Sequence, residues 1–239
     1  MKKVLFLVGL FLCVFCVGGI ANAVPIPNGN FELGNQDFSS DYNYYSQPIA
    51  PANHYGIPSL YDEGTYGVGT DPGLYHASWS SFGDHTTGTG NMMIVNGATN
   101  GASAQVWGSP VSPVIIPVTA GTTYYFSAWL ASVYPALNNP PIAPATLAFS
   151  INGSQIGTDF TLSANVGTWE LFYEPWVADG ALATLSLINR NSAVSGNDFA
   201  LDDISLDTRN PVPEPATMIL FGTGLIVLAG LGRKRFLKR

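Results

Sequence analysis

The sequence predicts an all-β fold, a two-sheet antiparallel sandwich carried between two apolar ends. Three observations predict it. The 239 residues include 26 glycines and 17 prolines, with 46% hydrophobic and only 10% charged residues, which argues against a coiled coil, a helical bundle or a charged disordered chain. From Val24 to about Asn210, short runs rich in Tyr, Phe, Thr, Val and Ile alternate with clusters of Gly, Pro and Asn. No stretch of this body sustains a 3.6-residue hydrophobic period, and none repeats in the manner of a solenoid or propeller.

The chain opens on Met1-Lys2-Lys3, an uncharged apolar stretch from Val4 to Ile20, and Ala21-Asn22-Ala23. A basic start, an apolar run and a small-x-small site in that order predict a secretory signal over residues 1–23, cut after Ala23. An uncleaved anchor is the alternative, since the run has about the length that spans a bilayer. Both cysteines, Cys13 and Cys16, fall inside this run, so the body has no disulfide and depends on its core, and on a metal if one binds.

Within the body, 35–90 is irregular, with Tyr42, Tyr44, Tyr45, Tyr55, Tyr61, Tyr66 and Tyr75 among Gly and Pro. It is too long for a structureless connection, so short strands and covering loops are expected there. Strands are then predicted at 91–96, 104–107 and 111–118. The clearest is 122–133, where Tyr124, Phe126, Ala128 and Leu130 alternate with Thr123, Tyr125, Ser127 and Trp129, a core set and a wetter set. Leu147, Phe149 and Ile151 run into Asn152-Gly153, a hairpin signal, and Gln155-Ile156 begins the return strand. Strands at 168–177, 184–189 and 199–206 complete eight to ten, the number expected of a sandwich spanning 24–210.

Charge is unevenly placed. Between Ala23 and Asn210 two arginines, Arg190 and Arg209, face fifteen acidic residues, a net charge of −13 hidden by the overall −7. Such a body repels phosphate backbones and anionic lipid, which excludes nucleic acid as a partner and favours a metal cation or a neutral ligand.

The chain closes on Val212-Pro213-Glu214-Pro215, seventeen uncharged residues from Ala216 to Gly232, and the basic cluster Arg233 to Arg239. As a helix, 216–232 measures about 26 Å, close to the roughly 30 Å hydrocarbon core. The basic cluster belongs on the cytoplasmic side, which places the acidic body outside, in agreement with the signal segment. This ending, 211–239, resembles the PEP-CTERM sorting signal of Gram-negative bacteria. The same tail also goes by the name of an ice-binding-protein C-terminal domain, but the body has no regular threonine array. The resemblance implies that an exosortase, a membrane cysteine transpeptidase, recognises Pro213, Glu214 and Pro215 and cleaves near them, in bacteria that often secrete exopolysaccharide. The alternative is a plain C-terminal anchor that nothing cuts.

Three further pieces of sequence belong together: Asn28-Gly29-Asn30-Phe31-Glu32, Gly167-Thr168-Trp169, and the run from Asn197 to Leu206 that contains Asp202-Asp203. In this order and spacing they resemble the galactose-binding-like jelly roll of secreted carbohydrate-binding modules. The segment Asp84-His85-Thr86-Thr87-Gly88, followed by 91–97, is similar to one common among PEP-CTERM proteins. The jelly-roll resemblance implies a structural calcium between the first and last strands, held here by Glu32 and one of Asp202 or Asp203. An oxygen-rich cluster in an acidic, cysteine-free domain independently suits a hard cation. Asp203 shares parity with Phe199 and Leu201 whereas Ile204 and Leu206 have the opposite parity, so unless a bulge intervenes the choice of ligand stays open.

Sugar binding needs flat aromatic platforms beside polar groups, and the candidates are Trp79, Trp107, Trp129, Tyr134 and Trp176. Trp169, by its parity with Leu171 and Tyr173, is expected in the core. Catalysis has little support: no cysteine and no Gly-x-Ser-x-Gly elbow lies in the body, and His54, His76 and His85 lack zinc-type spacing. A lyase acting on anionic polysaccharide is disfavoured, since it needs cationic charge and the body has no lysine and only two arginines. The expected function is therefore non-enzymatic, an exported cell-surface or matrix protein that binds a neutral polysaccharide. A structural or adhesive biofilm protein without a discrete ligand is the alternative, and a glycoside hydrolase using two carboxylates is the second.

Overall fold

The computed structural model describes residues 25–46, 60–99, 104–135 and 143–211. The signal segment with Ala21 and Ala23, the tail with Pro213, Glu214, Pro215 and the 216–232 span, and His54 lie outside the described residues.

Among the described residues, eleven strands and one 3-10 turn form the body. They are β1 Asn43–Tyr44, β2 Thr65–Gly69, the turn Pro72–Leu74, β3 Met92–Asn96, β4 Gln105–Trp107 and β5 Val114–Pro117. There follow β6 Thr123–Ser132, β7 Thr146–Ile151, β8 Ser154–Thr161, β9 Glu170–Val177, β10 Leu182–Asn189 and β11 Phe199–Asp207. Nine strands coincide with sequence-predicted ones to within a few residues, and the irregular segment supplies β1 and β2. One sheet runs β1-β2-β3-β11-β6-β9; the other runs β4-β10-β7-β8, with β5 paired to the other half of β10. Every pairing of strands is antiparallel except the short parallel contact of β1 with β2. The fold is the expected all-β two-sheet sandwich.

The core fills the space between the sheets because strand alternation puts one face of each strand there. On β6, Tyr124, Phe126, Ala128 and Leu130 are buried in it, as their parity requires. They meet Phe149 of β7, edge-on to Phe126 at 5.6 Å and stacked on Phe172 of β9 at 3.5 Å. Each large side chain buried here contributes roughly 1.5–3 kcal/mol of transfer free energy. The Asn152-Gly153 hairpin forms as predicted: both residues have positive φ, 52° and 75°, the conformation a two-residue primed turn requires.

A second apolar layer covers part of the outer face of the six-stranded sheet. Met92 and Ile94 of β3 and Ala200 of β11 point away from the main core, and Leu60, Tyr75 and Trp79 from the irregular segment close over them. β3 is therefore buried on both faces. The fit is close at Gly67, where a Cβ would stand 2.3 Å from the Tyr75 ring. Trp169 corrects its sequence reading. The core side of β9 is that of Phe172, while Tyr173 is exposed, so Trp169 lies on the outer side. There it is half-buried, edge-on to Phe82 at 5.9 Å, with its indole N–H donated to the Gly83 carbonyl at 3.2 Å.

Candidate functional site

Where the second layer ends, the outer face of the six-stranded sheet opens into a groove of about 450 Å³. Its lining includes Ser127 and Trp129 of β6, Asp203 and Ser205 of β11, and Ile26 and Asn30 of the N-terminal segment. Trp129 and Ser127 are there because they occupy the wetter parity of β6. Opposite them, Asp202 pairs with Trp129 and Ser205 with Ser127, whose hydroxyls lie 2.7 Å apart.

Between those two pairs the register shifts, and this bulge settles the parity conflict seen in the sequence. Asp203 has φ +47°, and Ile204 donates its N–H to the Gly29 carbonyl at 2.8 Å. Leu201 and Ile204 both join the main core, although their sequence parity differs. Gly29 lies so close that a Cβ would come 2.3 Å from the Ile204 oxygen, so the N-terminal motif needs glycine there.

The loop 84–91 is fastened over this bulge. Asp202 is fully buried and accepts the His85 N–H at 2.9 Å and the Asp203 N–H at 2.8 Å. Asp203 accepts from the Thr86 hydroxyl at 2.8 Å, and its Oδ2 lies 2.6 Å from His85 Nδ1. Asp84 gathers the Thr87 and Gly90 N–H groups at 2.8 and 2.6 Å, and Glu32 accepts the Asn91 N–H at 3.0 Å. Glu32 and Asp84 also crowd Gly90, where a Cβ would stand 2.1 and 3.1 Å from their oxygens. The loop places the His85 ring flat on Trp129, centroids 3.9 Å apart at 16°, with Trp169 edge-on to His85 at 5.9 Å.

Four carboxylates, Glu32, Asp84, Asp202 and Asp203, thus surround one loop, with no Lys or Arg among them in the described residues. Arg190 and Arg209 are engaged elsewhere, with Gln155 and Asp207. Burial, and then the charge of Asp203, push the Asp202 carboxyl up to about 7. Asp84 feels desolvation too, but the N–H groups of Thr87 and Gly90 outweigh it and hold its carboxyl below the ordinary value.

Of the aromatic platforms read from the sequence, only Trp129 lines the groove. Trp107 is completely buried and Trp79 nearly so, its indole N–H donated to Asp198 at 3.2 Å; neither offers a face. Trp176 packs at 6.3 Å from Tyr124 against the main core, and Tyr134 against the second layer. The structure brings Glu32, Asp202 and Asp203 to one loop. Among the described residues, no group of three or more His, Cys, Asp or Glu side chains is placed to hold a metal ion. His85, which has no zinc-type spacing in the sequence, belongs to the site; the Asp84-His85-Thr86-Thr87-Gly88 motif was its signal.

The PEP-CTERM protein-sorting motif matches residues 211–235, as the tail's three-part pattern implied, and marks an exported protein. No curated protein matches the chain. Among solved structures, the C-terminal domain of EclA, described as a sugar-binding protein, is similar over 46% of this chain and 71% of its own, at 20% identity and a TM-score of 0.35. An apo-form cyclase from Fischerella sp. is similar over 78% and 96%, at 15% identity and a TM-score of 0.49. A family 16 carbohydrate-binding module is similar over 76% and 97%, at 14% identity and a TM-score of 0.37. These likenesses concern the fold alone.

Proposed function

We propose that this exported protein binds a neutral polysaccharide, without catalysis, in the groove beside Trp129. It would do so at the cell surface or in an exopolysaccharide matrix, after an exosortase has acted at Pro213-Glu214-Pro215. The observation that carries the reading is the groove's make-up: an indole held rigid by His85, flanked by the Ser127 and Ser205 hydroxyls, the Asp203 carboxylate and Asn30. A pyranose presents apolar C–H faces and hydroxyl edges, which a fixed aromatic plane with polar neighbours matches. A body of net charge −13 selects against anionic glycans.

Affinity electrophoresis through gels containing neutral polysaccharides tests it. Trp129→Ala is expected to weaken retardation about 10- to 100-fold, the equivalent of about 1.4–2.8 kcal/mol, while Trp176→Ala leaves it unchanged. A wild-type protein that no neutral polysaccharide retards contradicts the reading and favours a structural matrix role.

A calcium ion held by Glu32 with Asp202 or Asp203 is part of the same proposal. The donors are hard carboxylate oxygens, and four carboxylates meet at one loop with neither Arg190 nor Arg209 beside them, which suits such an ion. The chemistry it would supply is neutralisation, tying the N-terminal segment to β11. Calcium is expected to raise the melting temperature in a scanning-fluorimetry titration, and Glu32→Gln to reduce that rise. No response to calcium in the wild type contradicts the proposal.

A further inference from the structure

A different set of polar groups lies on the same outer face, four residues along β11 from Asp202 and about 13 Å away at ~3.4 Å per residue. Asp198 is only 4% exposed, and two long hydrogen bonds reach it: the Gly97 N–H to Oδ1 at 3.3 Å and the Trp79 indole N–H to Oδ2 at 3.2 Å. Val95 pairs with Phe199, so the next residues outward, Asn96 and Asp198, stand across from each other on neighbouring strands. Both are on the covered face, since Asn96 bonds to Leu60 and Asp198 to Trp79, two members of the second apolar layer.

Asn96 is 5% exposed and oriented by its amide N–H, which donates to the Leu60 carbonyl at 2.5 Å. That bond fixes Oδ1 as the other edge of the amide, and Oδ1 is buried with no partner. Glu63 Oε2 is likewise buried and unpartnered. Glu63 sits beside Gly64, whose N–H donates to the Asn96 carbonyl at 3.1 Å. Burial, then the charge of Asp198, push the Glu63 carboxyl up to about 7, and burial pushes Asp198 up to about 6. Two carboxylates and an amide oxygen therefore share a sheltered corner with acceptor capacity in excess and, among the described residues, no Lys or Arg. A buried acceptor left unmatched is destabilising, and more so when charged.

We propose that Glu63, Asn96 and Asp198 form a cation site for a calcium-sized divalent ion, separate from the loop 84–91. All three offer oxygen, the donor such an ion takes, and water completes the shell. The site ties the start of β2 to the ends of β3 and β11, so its occupation fastens the second layer over the sheet.

Calcium titration of the chelator-treated full-length protein in detergent, by calorimetry and by melting temperature, tests this. The wild type is expected to bind two ions, Glu63→Gln to lose one, and Glu32→Gln to lose the other. Asn96→Asp adds a third carboxylate; it is expected to tighten the ion at this corner about tenfold and to enlarge the calcium-dependent rise in melting temperature. Unchanged stoichiometry in Glu63→Gln overturns the inference, as does an Asn96→Asp protein destabilised equally with and without calcium, the behaviour of a carboxyl pair that shares a proton. A single ion lost only in Glu32→Gln refutes this site and keeps the loop site; a single ion lost only in Glu63→Gln does the reverse.

Discussion

In a chelating buffer, the body is expected to lose stability as the pH rises from about 4 to about 7, and to level off above that. Asp202 is the main cause. Its carboxyl is raised from 3.8 to about 7 in the folded state, so between those values the folded protein holds a proton that the unfolded chain has released. The stability linked to that proton is complete below 3.8 and lost as pH passes through about 7. At about 1.4 kcal/mol per pH unit, Asp202 accounts for an effect on the order of 4 kcal/mol. Asp198, raised to about 6, and Glu63, raised to about 7, act in the same direction. Asp84 acts oppositely and only in acid, because its carboxyl is held below the ordinary value. The groups facing Asp202 are Asp203 and Asp84, with His85 donating its N–H, so no fixed cation cancels the effect. Urea denaturation at stepped pH is the measurement. Calcium is expected to flatten the profile by replacing the proton as counter-charge. A stability that climbs steadily from pH 4 to 7 without calcium refutes this electrostatic picture.

Gly29→Ala is expected to destabilise the body strongly, through a single added methyl group. The added Cβ would lie 2.3 Å from the Ile204 carbonyl oxygen and 3.3 Å from its carbon, both backbone atoms inside the bulge. Relief requires the N-terminal segment to withdraw, which breaks the 2.8 Å hydrogen bond from the Ile204 N–H to Gly29. Overpacking and the lost bond together cost about 3 kcal/mol. For a domain of this size that is a drop of roughly 6–12 °C in melting temperature. The control is Gly180→Ala, where a Cβ meets nothing within 4 Å and φ is not positive; its melting temperature is expected to stay within about 2 °C of wild type. Equal melting temperatures for the two variants contradict the role given to the N-terminal motif.

The parts of the fold legible in the sequence are those set by local pattern. Alternation along β6 identified both its core and its groove-facing set, and Asn152-Gly153 announced its turn because few residues other than Asn, Asp and Gly tolerate positive φ at both positions. What stayed illegible depends on partners far along the chain. Met92 and Ile94 read as strand, but nothing local says that Tyr75 and Trp79 close over them. The bulge at Asp203 packs against and hydrogen-bonds Gly29, far along the chain, and the parity of β11 could not be resolved without it. Trp79 and Trp129 look alike in sequence; one is sealed beside Asp198 and the other lines a groove, because residues 60–90 cover only part of the sheet. His85 gains its place through contacts to Asp202 and Asp203, over a hundred positions later.

The reading of this protein rests on Trp129 as the surface that a glycan touches. The five tryptophan indole N–H resonances, followed by NMR during titration with a neutral oligosaccharide, test that most directly. The expected result is a saturable shift of the Trp129 signal, with those of Trp79, Trp107 and Trp176 unmoved and Trp169, behind His85, moving less. Saturable shifts at Trp176 with Trp129 unmoved, or no shift with any neutral glycan, contradict the account.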